Sequence, residues 1–103
     1  MYRKLLLASA LCLMAFANAQ DATAAKLGEF CGGFGVIKCD KGLWCQFRDG
    51  TCGRFDAGGT CAAVPRFCPR IFRPVCGCDK KTYANDCERQ RHRVSKAHDG
   101  KCY

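Results

Sequence analysis

The longest apolar stretch of the chain covers residues 5–16, close to its start. Two basic residues, Arg3 and Lys4, precede this stretch, and Ala17-Asn18-Ala19 follows it. A basic start, a short apolar centre and an A-x-A site are typical of a secretory signal peptide. We therefore predict a signal peptide over residues 1–19 and a secreted protein, which would be extracellular, or periplasmic in a bacterial host.

The rest of the chain has only short apolar stretches, none of which approaches the roughly 18 residues of a membrane-spanning helix. We expect no membrane span. Residues 20–30 are rich in alanine and polar residues, without strong periodicity, and are interpreted as a flexible leader. Residues 31–52 are rich in glycine, which favours tight turns. This pattern predicts a loop-rich unit over residues 31–60, with one short hairpin around Leu43 to Phe47 and a hinge over residues 55–60.

Residues 61–103 have a pattern of short strands followed by a helix. Val75 to Cys78 and Lys81 to Tyr83 flank Asp79-Lys80, which predicts a turn between two antiparallel strands. Asn85 is followed three residues later by Glu88, a pairing typical of a helix N-terminus. We expect a helix from about Asp86 to Arg91 or Arg93, and a third strand over residues 94–97.

Cysteine content decides the class of protein. The chain has 11 cysteines, and removal of the signal peptide takes Cys12 with it, leaving an even ten. An exported chain this small has too little hydrophobic core for stability, so an even cysteine count indicates a disulfide scaffold. We expect neither a metal nor a cofactor, although Cys76-Gly77-Cys78 and two histidines have residue types that bind zinc. The fold class is therefore small, disulfide-rich α+β.

Catalysis is not expected, because the residue types of a nucleophilic triad crowd into eight positions without a pocket to exclude water. These residues are His92, Ser95, His98 and Asp99.

The chain is basic, with a formal net charge of +8 that falls to +6 once Arg3 and Lys4 are removed. In an exported protein this charge concerns solubility more often than nucleic-acid binding, which we do not expect. Arg89, Arg91 and Arg93 make the predicted helix basic. They form either a patch for anionic glycans or envelope lipids or a solvated helix face, and the second is the simpler interpretation.

One run of residues resembles a known family. Pro74-Val75-Cys76-Gly77, Asp79, Lys81-Thr82-Tyr83, and Asn85 two residues before Cys87 are similar to the signature of Kazal-type serine protease inhibitors. The resemblance covers about residues 61–102. It implies a three-stranded antiparallel sheet with one helix, preceded in this chain by the cysteine-rich unit that the resemblance does not explain.

The resemblance also implies disulfide partners. Family pairing would join Cys68 to Cys87 and Cys76 to Cys102, and would leave Cys61 and Cys78 as a third bridge. The chain departs from the family because Cys78 stands where Ser or Thr is more common and the fifth family cysteine is missing. Cys61 could instead pair with the first unit, and ten cysteines allow roughly 945 pairings.

In the family, the residue two positions after the second Kazal cysteine enters the protease's specificity pocket. Carried over, this residue is Arg70, and the reactive bond is Arg70–Ile71. Arginine can pair bidentately with a buried carboxylate, so the resemblance implies a trypsin-like serine protease as partner. The loop flanks would be Phe67, Pro69, Phe72 and Arg73, and Tyr83 and Asn85 would support the loop from beneath.

The main hypothesis is thus a secreted, monomeric, substrate-like protease inhibitor. The alternative is a non-inhibitory extracellular module that binds a protein or an anionic surface, because a shared fold does not establish a shared activity.

Overall fold

The structure is a computed structural model that describes residues 24–103. The expected signal peptide, Cys12 and the first residues of the expected leader lie outside the described residues. The elements in chain order are β1 (Phe30–Gly32), β2 (Leu43–Phe47), β3 (Gly58–Ala63), β4 (Val75–Gly77), β5 (Thr82–Tyr83), α1 (Asp86–Arg91) and β6 (Lys96–Asp99). Within residues 24–103, no helix has the length and apolar character needed to cross a membrane.

The first sheet has the strand order β1-β3-β2, and both pairings are antiparallel. Its central strand corrects the expectation of a hinge over residues 55–60, because Gly58–Ala63 is hydrogen-bonded on both edges. Glycine here serves close packing rather than flexibility. A Cβ atom on Gly59 would lie 2.7 Å from the Cα of Phe47 on the neighbouring strand.

The first unit, expected over residues 31–60 as mainly loops with one hairpin, contains a three-stranded sheet and comprises residues 24–63, since β3 ends at Ala63. Its buried centre consists of Ala25, Cys31 and Cys61. Ala25 is 5% exposed, and its backbone exchanges hydrogen bonds with Lys38 and Asp40 at 2.8 and 2.7 Å. The expected flexible leader covers residues 20–30. Its described part, residues 24–30, is thus attached to this unit.

The second sheet has the order β5-β4-β6, again antiparallel. β4 and β5 form the hairpin predicted around Asp79-Lys80, and Lys80 takes a positive φ of 69° in the turn. The third strand begins at Lys96, two residues later than expected. The register shifts between Cys76 and Gly77 where β4 meets β6, as at a β-bulge.

The single helix of the described residues is confirmed with its predicted start. Asn85 is the N-cap, and its side-chain oxygen accepts a hydrogen bond from the Glu88 backbone N–H at 2.9 Å. The helix ends at Arg91, after which His92 and Arg93 turn the chain, with Arg93 at a φ of 58°. The small disulfide-rich α+β fold class is thereby confirmed.

Ten cysteines form five disulfides: Cys31–Cys45, Cys39–Cys61, Cys52–Cys78, Cys68–Cys87 and Cys76–Cys102. The last two are the pairs that the resemblance implies. The expected Cys61–Cys78 pair is wrong. Cys61 lies in the middle of β3 and bonds to Cys39 within the first unit, so Cys78 bonds to Cys52 and joins the two units.

Candidate functional site

The candidate site is the segment between β3 and β4, which has no regular secondary structure from residue 64 to residue 74. Arg70 and its neighbours are exposed: Phe67 by 86%, Ile71 by 50% and Phe72 by 70%. Such large apolar side chains are rarely left in water without a reason when they lie next to each other. We call residues 68–74, from Cys68 to the residue before β4, the exposed loop.

A buried asparagine holds the exposed loop from below. Asn85 is 7% exposed, and its side-chain Nδ2 donates to the carbonyl oxygens of Pro69, at 3.2 Å, and Ile71, at 2.8 Å. The Arg70–Ile71 peptide bond lies between these two carbonyls. Because the same side chain also caps α1, the helix start and the loop are fixed by one residue.

Both ends of the exposed loop are attached to the body of the unit. Disulfides tie Cys68 to Cys87, with Cα atoms 5.6 Å apart, and Cys76 to Cys102, with Cα atoms 4.8 Å apart. On the C-terminal side of Arg70–Ile71, the Arg73 N–H donates to the Ala84 carbonyl at 2.8 Å. The loop therefore has fixed anchors on each side of that bond.

A cleft of about 640 Å³ lies beneath the loop, lined among others by Ile71, Asn85 and Lys96. The disulfides and the hydrogen bonds with Asn85 and Ala84 fix the loop above this cleft, so removal of each should have a measurable effect.

Tyr83, expected to support the loop, makes its hydrogen bond elsewhere. Its hydroxyl donates to Asp79, across the β4–β5 turn, and its ring lies 5.2 Å from that of His92. Partial burial and the hydrogen bond to Asp79 raise the pKa of Tyr83 to about 12. Partial burial also acts to raise the pKa of Asp79, but hydrogen bonds from Tyr83 and from the backbone outweigh it, so that pKa is lowered. In its hydrogen bonding, Tyr83 stabilises the hairpin.

The sequence comparisons agree with this geometry. Residues 52–102 match the family model described as the Kazal-type serine protease inhibitor domain. Residues 52–102 are a Kazal-type domain. The match begins at Cys52, the partner of Cys78, and not at Cys61.

Several curated relatives resemble the Kazal-type domain. The chain is 56% identical over 41 residues to ovoinhibitor of Gallus gallus, an overlap of 34% of this chain and 8% of ovoinhibitor. It is 45% identical over 42 residues to serine protease inhibitor Kazal-type 2 of Mus musculus, covering 41% of this chain and 40% of the relative. It is 59% identical over 29 residues to a Kazal-type trypsin inhibitor of Aedes aegypti, covering 28% and 26%. The chain thus spans less than two thirds of each of these relatives.

The basic helix of the Kazal-type domain differs from expectation. Arg89 is only 2% exposed, so it cannot belong to a surface patch with Arg91 and Arg93. Its guanidinium faces the first unit, since Nη2 donates to Gln46 Oε1 of β2. It also pairs with Asp86, three residues earlier on the same side of the helix. Arg91 is exposed and lies 3.6 Å from Glu88. Arg89 therefore cannot contribute to the expected patch for anionic surfaces.

The triad residue types of the Kazal-type domain have other partners. Ser95 Oγ accepts a hydrogen bond from the Phe47 N–H at 3.0 Å. His92 Nδ1 lies 2.9 Å from the Glu88 carbonyl oxygen, and His98 Nδ1 lies 2.7 Å from that of Asp99. Within residues 24–103 no hydrogen bond joins Ser95 to either histidine, as a nucleophile and its base would require.

Sequence reasoning missed three residues that surround the helix start. They are Gln46, Asp49 and Lys96. Nothing in the local sequence distinguishes them, because their importance depends on contacts between the two units.

Proposed function

We propose that this protein is a secreted, substrate-like inhibitor of trypsin-like serine proteases, and that Arg70–Ile71 is the bond presented to the enzyme. The observation that carries the proposal is the pair of hydrogen bonds from Asn85 to the carbonyls of Pro69 and Ile71. These bonds hold the chain on both sides of an exposed arginine in one conformation before any enzyme is met.

Preorganisation of this kind favours tight binding. A flexible substrate loses conformational entropy when a protease fixes its backbone, whereas a loop already held by Cys68–Cys87 and Asn85 loses little. Complexes of this type reach nanomolar to picomolar dissociation constants, about 12 to 16 kcal/mol of binding free energy.

The same anchors explain how an inhibitor could resist digestion. When the catalytic serine attacks the Arg70 carbonyl, an ester forms and the Ile71 amine is released. That amine would stay close to the ester, since Ile71 is held through its carbonyl by Asn85, and Arg73 through its N–H by Ala84. A retained amine has a high effective concentration, so the peptide bond reforms faster than water hydrolyses the ester.

The proposed class of target protease follows from Arg70. Its side chain is exposed, and its guanidinium is a planar, permanently charged group suited to a pocket that ends in a carboxylate. The similarity to a Kazal-type trypsin inhibitor of Aedes aegypti also supports this class. The exposed Phe67, Phe72 and Arg73 would contact the enzyme around that pocket.

Secretion is supported by the chain's basic and apolar start and by its disulfides. The ten described cysteines all form disulfides, which persist in oxidising compartments.

The direct test is titration of bovine trypsin with the oxidised protein and with Arg70→Ala. We expect tight inhibition by the parent protein and a loss of roughly 4 to 8 kcal/mol of binding free energy in the variant, as for a dominant anchor residue. Arg66→Ala is the matched control, since Arg66 is equally charged and exposed but lies outside the exposed loop. Equal inhibition by the parent and Arg70→Ala would contradict the proposal.

A further inference from the structure

Arg89 is the largest fully buried side chain among the described residues, although its charge is permanent. Burying a guanidinium is unfavourable unless it is paired and its N–H groups are hydrogen-bonded. Three acceptors surround Arg89. Nε donates to Asp86 Oδ1 at 3.0 Å, Nη1 to the Val94 carbonyl at 2.6 Å, and Nη2 to Gln46 Oε1 at 3.0 Å.

These acceptors come from three parts of the molecule. Asp86 is the first residue of α1, Val94 precedes β6, and Gln46 belongs to β2 in the first unit. A single side chain therefore joins the helix start to the sheet of the other unit.

Lys96 makes a second connection in the same place. Its Nζ lies 2.9 Å from Asp99, 3.6 Å from Asp49 of the first unit and 3.8 Å from Asp86. The backbone contributes as well, because the Gly50 N–H donates to the Lys96 carbonyl at 3.0 Å.

Asp86 is the point where both connections meet the exposed loop. It accepts from Arg89 and lies near Lys96, and it directly follows Asn85 in the chain. Asn85 can reach Pro69 and Ile71 only while the helix start keeps its place. Movement of Asp86 would move the donor that holds the loop.

We propose that Gln46 and Asp49, both outside the Kazal-type domain, are positioning residues for the exposed loop. They fix Arg89 and Lys96, which fix Asp86 and so the neighbouring Asn85. The first unit then acts as a support for the helix start beneath the loop. This inference rests on the proposed function for its effect on inhibition, but its effect on the loop can be measured without any protease.

The test compares Gln46→Leu with Gln46→Glu in the full oxidised protein. Leucine removes the acceptor that faces Arg89 at similar size, and glutamate keeps an oxygen there. We expect Gln46→Leu to accelerate amide exchange of the Arg73 N–H about tenfold and to weaken trypsin inhibition by a similar factor. Gln46→Glu should stay within about twofold of the parent in both measurements.

A second pair of variants tests the role of charge. Asp49→Asn removes one partner of Lys96, and Asp56→Asn removes an equal charge from an exposed position that makes no side-chain hydrogen bond within the described residues. Because Asp49 is largely exposed, we expect a smaller effect on Arg73 exchange, about threefold, and none for Asp56→Asn.

A merely structural role for Gln46 would give a different result. In that case Gln46→Leu would accelerate exchange of the Gly28 N–H, which donates to Cys61 in the first unit, as much as that of Arg73. That outcome, or unchanged Arg73 exchange, would overturn the inference. If the parent protein fails to inhibit trypsin, the proposed function fails, and Arg73 exchange still decides whether Gln46 positions the loop.

Discussion

The two units use their buried positions differently. In the first unit the buried residues are Ala25, Cys31, Trp44 and Cys61. In the second, Val75 and Cys76 are accompanied by three buried polar residues, Asn85, Arg89 and Ser95. Each of these three makes a hydrogen bond to a segment distant in the chain: Asn85 to the exposed loop, and Arg89 and Ser95 to β2.

This difference separates stability from positioning. Disulfides and apolar burial mainly stabilise the first unit itself. Buried polar groups give little net stability, because their hydrogen bonds mainly offset the loss of water. They do penalise other arrangements, in which a donor would be buried without a partner. The buried polar groups of the second unit, together with their partners in the first unit, therefore favour one position of the loop.

The largest effects on the free energy of unfolding should come from removing one disulfide from each unit. Replacing Cys31 and Cys45 by alanine opens a bridge with a sequence separation of 14, and replacing Cys68 and Cys87 opens one with a separation of 19. By loop length, each should lower the free energy of unfolding by about 3 kcal/mol. Chemical denaturation measures both.

The two disulfide variants should differ in inhibition although they lose a similar free energy of unfolding. Without Cys68–Cys87, the segment on the N-terminal side of Arg70–Ile71 loses its covalent anchor, so trypsin should cleave that bond and release the product. Without Cys31–Cys45, cleavage should be much slower, because the loop keeps both of its own bridges. Mass spectrometry of the digests measures cleavage at Arg70–Ile71. If the two variants are cleaved equally fast, the two units do not differ in their effect on the loop.

A smaller effect is expected for Asn85→Asp, which separates two roles of one side chain. Aspartate is as good an N-cap as asparagine, so α1 should keep its start. It cannot donate, however, and would place a carboxylate against the carbonyls of Pro69 and Ile71. We expect inhibition to weaken by about 2 kcal/mol, while the helical circular dichroism stays unchanged.

Asn85→Ala is the companion variant, because it removes the cap and the two donors together. It should weaken inhibition and also lower the thermal midpoint. If Asn85→Asp inhibits as well as the parent protein, the hydrogen bonds from Nδ2 do not hold the loop in solution.

Local chemistry made part of this structure predictable. Asn85 and Glu88 indicated the helix start, and Asp79-Lys80 indicated the hairpin, since both features depend on residues within a few positions of each other. The glycines of β3 led to the wrong prediction of a hinge, because glycine is common in turns. In the structure, Gly59 lets Gln46 and Phe47 of β2 lie close to the β3 backbone.

Contacts between the units could not be predicted in this way. The partner of Cys78 lies 26 residues away and that of Arg89 lies 43 residues away, and nothing near either residue identifies it. An arginine between Glu88 and Gln90 in a basic helix has the pattern of a solvated face. Its burial involves residues distant in the chain, among them Gln46 of β2.

The smallest effect concerns pH and is expected in the second unit. The pKa of Asp79 is lowered in the folded protein, where hydrogen bonds from Tyr83 and Lys81 outweigh partial burial. The hydrogen bond with Lys96 lowers the pKa of Asp99 and raises that of Lys96, with Asp86 and Asp49 adding to the latter. These lowered carboxyl pKa values contribute stability above the unfolded pKa, which is lost as pH falls through the folded value.

Stability should therefore decline as the pH is lowered from about 5 to about 2, and also above the ordinary pKa of lysine, where the raised pKa of Lys96 ceases to contribute. Asp79→Asn keeps an acceptor for Tyr83 and removes the charge, so it should flatten the acid part of the profile. Asp56→Asn, in the exposed segment before β3, should leave that slope unchanged. Thermal midpoints at several pH values measure both. If Asp56→Asn flattens the profile as much as Asp79→Asn, the acid sensitivity reflects net charge and not the hairpin of the second unit.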